Sequence, residues 1–151
     1  MLDVVGTLAR LGLAAVWLVS GTLKAADPDQ TYVAVRAYDV LPTGGVEVVA
    51  AVLPFLEIAL GLLLLAGVGT RAAAVLSAAL LLVFVVGVAQ AWARGLSIDC
   101  GCFGGGGAVA PGDTAYLQEL MRDTSFLVLA AWLIVRPRTL LSIDSRFGGR
   151  T

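Results

Sequence analysis

The chain has 151 residues, 59% of them hydrophobic and only 14% charged, with a net charge of −1 and a mean hydropathy of +0.93. A soluble domain carries about 25% charged residues, so there are too few polar side chains to coat a globule, and an ordinary soluble enzyme or a basic nucleic-acid binder is excluded. No histidine is present, which removes imidazole acid/base catalysis, haem ligation through His and imidazole zinc sites.

In chain order, residues 4–24 form the first expected transmembrane helix, with Arg10 inside it. Asp3 stands where a signal peptide carries Lys or Arg, and Leu23-Lys24-Ala25-Ala26-Asp27 is a poor cleavage site. The segment therefore reads as a retained span. Asp27-Pro28 offers an N-cap followed by proline at the first helical position, and Val33, Ala37, Val40 and Leu41 fall on one face. This predicts a short helix lying on the extracytoplasmic membrane surface, stopped by Leu41-Pro42-Thr43-Gly44-Gly45. Residues 46–68 make the second span, interrupted by Pro54 and Glu57. Residues 71–93, uncharged from Ala72 to Ala93, make the third and reach the roughly 20 residues that a bilayer core requires. Ala74 with Ala78 and Gly87 with Ala91 suit close helix packing.

The segment 95–112 holds Asp99-Cys100-Gly101-Cys102-Phe103 and then Gly104 to Gly107, and reads as an irregular, mobile loop. A fourth span, 114–136, starts after Asp113 as an N-cap behind Pro111-Gly112. Its early turns carry Gln118, Glu119, Arg122 and Asp123, which stand in the interface or face the bundle. The expected fold is an all-α, four-transmembrane-helix bundle: one integral membrane domain over residues 1–151, with a tail at 137–151.

Counting basic residues by side sets the orientation. Arg71, Arg136, Arg138, Arg146 and Arg150 share the side of the N-terminus, whereas Lys24, Arg36, Arg94, Arg122 and most acids lie opposite. The positive-inside rule puts both termini in the cytoplasm and the cysteine loop outside the plasma membrane.

Two cysteines fall two residues apart by chance in roughly one pairing in seventy-six, so the C-x-C asks for a paired function. Joining them requires a sharply turned backbone, which Gly101 permits through positive φ. A disulfide closing so small a ring would stabilise the chain little and would exchange readily. Buried inert thiols and a two-thiolate site for Cu(I), Zn(II) or Hg(II) are the other readings. No further Cys or His is present to complete such a metal site. Asp99 is placed to act as a local proton acceptor, and Lys24, at the exit of the first span, to stabilise a thiolate. At 1.5 Å per residue, Arg10 and Glu57 differ in depth by about 5 Å, which predicts an intramembrane ion pair.

Gly21-Thr22-Leu23-Lys24, Leu41-Pro42, Leu53-Pro54-Phe55-Leu56-Glu57 and Cys100-Gly101-Cys102-Phe103-Gly104 together resemble the MauE family of methylamine-utilisation proteins, within the wider DoxX-like group. The resemblance runs from about Arg10 to Val135. It implies a four-helix membrane protein of redox and disulfide chemistry that works with a thioredoxin-like partner in maturing a disulfide-rich dehydrogenase subunit. The quinone-linked disulfide oxidases share only the plan, because they carry a C-x-x-C and a second shuttle pair. The expected function is thus thiol–disulfide exchange between Cys100, Cys102 and an extracytoplasmic thiol protein, with no obligatory cofactor and no nucleic-acid partner. Electrons passed on to a lipid quinone would be taken up near Glu57. A non-enzymatic membrane anchor for a redox partner is the alternative.

Overall fold

The computed structural model describes residues 1–144 and builds them into five helices and one short ribbon. Helices α1 (Leu2–Ala26), α3 (Thr43–Ala66) and α4 (Thr70–Ala93) are, among the described residues, the three long and apolar enough to cross a membrane. The sequence reading expected four. Helix α5 (Tyr116–Val135) is 20 residues long, but Glu119, Arg122 and Asp123 occupy its first half. Helix α2 (Pro28–Ala37) is short and starts as expected, with Asp27 accepting a bond from the Gln30 N–H at 3.0 Å and proline at the start of the helix.

The helices are apolar outside as well as inside, and a few charged groups are buried. Phe55 is 69% exposed and Val83 64%, while Glu57 is 0% and Arg10 2% exposed. Apolar flanks with ionisable groups turned inward are the arrangement of a chain whose solvent is lipid. Between the helices lies a core of Leu13, Ala14, Trp17, Leu60, Leu64, Ala74, Leu81 and Leu133. Trp17 satisfies its indole N–H on Ser77 Oγ at 2.9 Å.

Helix α1 lies along α3, and α4 along α5. The first pairing is close because Gly21 and Gly61 have no side chains. A Cβ at Gly21 would stand 2.8 Å from the Pro54 carbonyl oxygen, and one at Gly61 3.0 Å from the Leu18 nitrogen. Gly21→Ala is therefore expected to destabilise the fold by about 1–3 kcal/mol through overpacking. Gly12→Ala meets nothing within 4 Å and should stabilise α1 by up to about 1 kcal/mol. Unfolding of both variants in mixed detergent micelles separates the two effects. Of the small residues expected at contacts, Ala74 and Ala91 are fully buried, and Gly87 faces Tyr38, whose ring a Cβ there would meet at 3.4 Å.

One expectation about the connecting segments changes, that for residues 95–112. Helix α2 buries Thr31 and Ala34, whereas Val33, Val40 and Leu41 are exposed. The reason is its partner: Ala34 packs on bare backbone, where a Cβ on Gly101 or Gly106 would come within 2.7 Å of it. The 95–112 segment, for its part, is folded. Strand β1 (Ile98–Asp99) pairs antiparallel with β2 (Gly107–Ala108), and Gly104 to Gly107 turn the chain with φ between 72° and 106°.

At the other end, Gly67 closes α3 with φ 68° and leaves space for Arg10. The Arg10 guanidinium donates to the carbonyls of Leu64 at 2.9 Å, Leu65 at 3.1 Å and Leu140 at 3.1 Å, where the helix C-terminus favours a cation. Asp144 accepts from the Gly69 and Thr70 N–H groups at 2.9 Å each and caps α4. The stretch from 137 to 144 is thereby tied to the bundle end. Of the five arginines used for orientation, Arg146 and Arg150 lie outside the described residues.

Candidate functional site: a buried dithiol at the bundle mouth

Gly101 adopts φ 67°, the left-handed conformation that folds Cys102 back over Cys100. The two sulfurs stand 2.7 Å apart and share a hydrogen bond, and the Cys102 N–H donates to Cys100 Sγ at 3.3 Å. Both cysteines are free thiols and only 8% exposed. The expectation of an open loop fails here because α2, the ribbon and α5 enclose them. Val88, Ala91, Ile98 and Tyr116 share their cluster.

Helix α5 supplies most of the polar surroundings of Cys100. Tyr116 Oη bridges the Leu96 carbonyl and the Ile98 N–H, fixing the start of the ribbon. Glu119 Oε1 accepts from the Cys100 N–H at 3.2 Å. Arg122 Nη2 lies 3.5 Å from Cys100 Sγ, while its Nε is held by Asp123 Oδ1 at 3.1 Å and its plane lies 4.9 Å from the Phe103 ring centroid. The hydrogen bond with Cys102 draws the Cys100 thiol below the ordinary range, and Arg122 adds to this against the effect of burial. The same hydrogen bond, together with burial, pushes Cys102 well above that range. Cys100 is thus the more acidic of the two sulfurs and Cys102 the less. Burial also raises the Tyr38 hydroxyl, which stays a neutral donor to the Cys100 carbonyl at 3.2 Å.

On the α1 side, Lys24 is 7% exposed; its ammonium bonds oxygen atoms, and its charge acts on the Cys102 thiol in the lowering direction, against the hydrogen bond and burial that raise it. Its Nζ binds Glu57 Oε1 at 2.9 Å, Ser20 Oγ at 2.6 Å and the Cys102 carbonyl at 3.0 Å. Ser20 Oγ is 2.6 Å from that same carbonyl and 3.1 Å from Glu57 Oε2. The intramembrane pair is therefore Lys24 with Glu57, where the sequence reading expected Arg10 with Glu57. Arg10 binds at the level of Leu64, two helical turns from Glu57, about 10 Å at 1.5 Å per residue. The cation beside Cys100 is Arg122 rather than Lys24. Asp99, the expected proton acceptor, has a carboxylate oxygen that lies with Cys100 Sγ and a Glu119 oxygen within 4.8 Å of one another. Sequence reasoning missed Ser20, Tyr38, Tyr116, Glu119, Arg122 and Asp123 as site residues. Tyr116, Glu119 and Asp123 lie at i, i+3, i+7, one helix face, and that spacing was the available signal.

The arrangement can hold one thiolate beside one thiol, with carboxylates near enough to take a proton. The sequence pattern of the family described as "Methylamine utilisation protein MauE" matches residues 2–136. The chain belongs to the MauE family. The "Methylamine utilization protein MauE" of Paracoccus denitrificans is 40% identical to this MauE-family chain over 98 residues, 64% of this chain and 53% of that protein. The matched region spans about half the length of that curated relative. No solved structure matches this chain.

Proposed function

We propose that this protein is a membrane-embedded thiol–disulfide exchange protein that cycles Cys100 and Cys102 between dithiol and disulfide against a thioredoxin-like partner. The reading rests above all on the 2.7 Å approach of the two sulfurs with Arg122 beside Cys100. In the reduced protein the Cys100 thiolate attacks the partner's disulfide and forms a mixed disulfide. Cys102 then loses its proton and attacks the Cys100 sulfur, so that a Cys100–Cys102 bond forms and the partner leaves as a dithiol. Run in reverse, the same steps pass a disulfide to the partner and so support disulfide formation in exported proteins, within methylamine utilisation. Contact with the partner requires α2 to part from the ribbon, breaking the Gln30 Nε2 bond to the Gly106 carbonyl at 2.7 Å.

In this reading α5 is the fourth span, its charged first turns turned to the dithiol and not to lipid. Both termini are cytoplasmic and the dithiol is extracytoplasmic, where disulfides persist. A soft-metal site fits less well. Two thiolates ligating one zinc at about 2.3 Å in a tetrahedron stand about 3.8 Å apart, wider than this pair.

Incubating the oxidised protein with reduced thioredoxin as probe, followed by alkylation and mass measurement, tests the reading, because a strained disulfide is the stronger oxidant of the two. The expected result is opening of an intramolecular Cys100–Cys102 bond, gain of alkylation at both cysteines and an equal amount of oxidised thioredoxin. A pair that never forms the bond, or that keeps it in the presence of reduced thioredoxin, would overturn it, and would equally be the behaviour of a mere anchor.

A further inference from the structure

Beside the dithiol lies a cavity of about 150 Å³ enclosed by α2, α3 and α4. Cys100, Gly101 and Cys102 form one wall, and Tyr38, Leu53 and Phe84 are among the others. Apart from Lys24, Thr31, Tyr38 and the cysteines, its side chains are apolar. Its volume equals that of an apolar cavity able to bind benzene, about 150 Å³, so one six-membered ring fits. Val40, Leu41 and Val83 also line it and are 57%, 41% and 64% exposed. The cavity is thus edged by exposed apolar side chains of α4 and of the α2–α3 connection. A concave, mostly apolar pocket open to the lipid side suits a ring dissolved in lipid.

We infer that this cavity receives the ring of a lipid-soluble quinone, which re-oxidises the Cys100–Cys102 dithiol from the membrane side. The inference rests on the exchange reading above and adds its terminal electron acceptor. The step balances without another reactant. The Cys102 S–H bond breaks, the proton already released from Cys100 returns from a neighbouring carboxylate, one S–S bond forms, and the electron pair passes to the quinone. The two protons go to its carbonyl oxygens, giving a quinol. The acceptor must be a two-electron, two-proton carrier, because the dithiol releases that complement. The expected location shifts accordingly: the ring sits against the cysteine wall between α2, α3 and α4, while Glu57 is occupied by Lys24 and Ser20.

The test uses reduced, full-length protein in lipid nanodiscs without oxygen, with decylubiquinone and duroquinone, fully substituted single rings that thiols cannot add to, as the quinone probes. The expected result is one quinol formed for every two thiols lost. Val83→Trp and Leu53→Trp, which fill the cavity from its edge, should slow this at least tenfold while leaving exchange of the oxidised form with reduced thioredoxin unchanged. Reduction of neither quinone above the rate seen with a Cys100→Ser/Cys102→Ser protein would overturn the inference, as would full quinone reduction in both tryptophan variants. If thioredoxin exchange persists in that case, the exchange reading stands without the quinone; if exchange also fails, the exchange reading itself falls.

Discussion

Lys24→Met and Glu57→Leu will each destabilise the protein by about 3–5 kcal/mol, and the double variant will lose far less than the sum. Each single change leaves one charge inside the bundle with its partner gone, and an uncompensated buried charge carries a cost of that size. The double change removes both charges, and apolar residues of similar volume replace a buried pair at little or no loss. Unfolding of the four proteins in mixed micelles gives the coupling directly. Additive effects would contradict the geometry, in which Lys24 Nζ is 2.9 Å from Glu57 Oε1. A parallel cycle with Arg10→Gln and Glu57→Leu should be additive, because Arg10 binds carbonyls two turns away. The Lys24 and Glu57 variants should also disturb the dithiol, since Lys24 and Ser20 both hold the Cys102 carbonyl.

What the sequence made legible was local. An uncharged run marks α4 and an apolar run interrupted by Glu57 marks α3, Asp27-Pro28 marks the start of α2, and the spacing of Cys100, Gly101 and Cys102 marks a turn that joins two sulfurs. Each depends on neighbours within one or two turns. The partner of Glu57 depends on how α1 slides along α3, which Gly21 and Gly61 fix by letting α1 approach α3 at Pro54, Ile58 and Leu18. A depth count that starts each span at the membrane face has no access to that register. Arg122 was hidden for a related reason: charges in the first turns of a marginal span read equally as interfacial or bundle-facing, and Glu119 and Asp123, 4% and 2% exposed, take the second course. Only the fold of the ribbon brings Cys100 to that face of α5.

Cys102→Ser will react with a small aromatic disulfide at neutral pH about tenfold or more faster than Cys100→Ser. The attacking species is a thiolate, and its population at a given pH rises as the thiol pKa falls. In Cys102→Ser the serine hydroxyl still donates to Cys100 Sγ and Arg122 remains 3.5 Å away, so Cys100 keeps its lowered pKa. In Cys100→Ser the remaining Cys102 is buried, and burial raises its thiol. The sign of the pH dependence follows. Rate rises with pH as thiolate forms, and for Cys102→Ser the rise comes below the ordinary thiol range of about 8.5. Cys102→Ala removes the hydrogen bond that lowers Cys100 most, and Arg122→Gln removes the guanidinium, so each should move the inflection to higher pH. At high pH, where Cys100 is fully ionised in every case, the rates of these variants should converge. Equal pH profiles for Cys102→Ser, Cys102→Ala and the Arg122→Gln/Cys102→Ser double variant would mean that neither neighbour sets the thiolate. Equal rates for Cys100→Ser and Cys102→Ser would remove the division of labour between the two sulfurs.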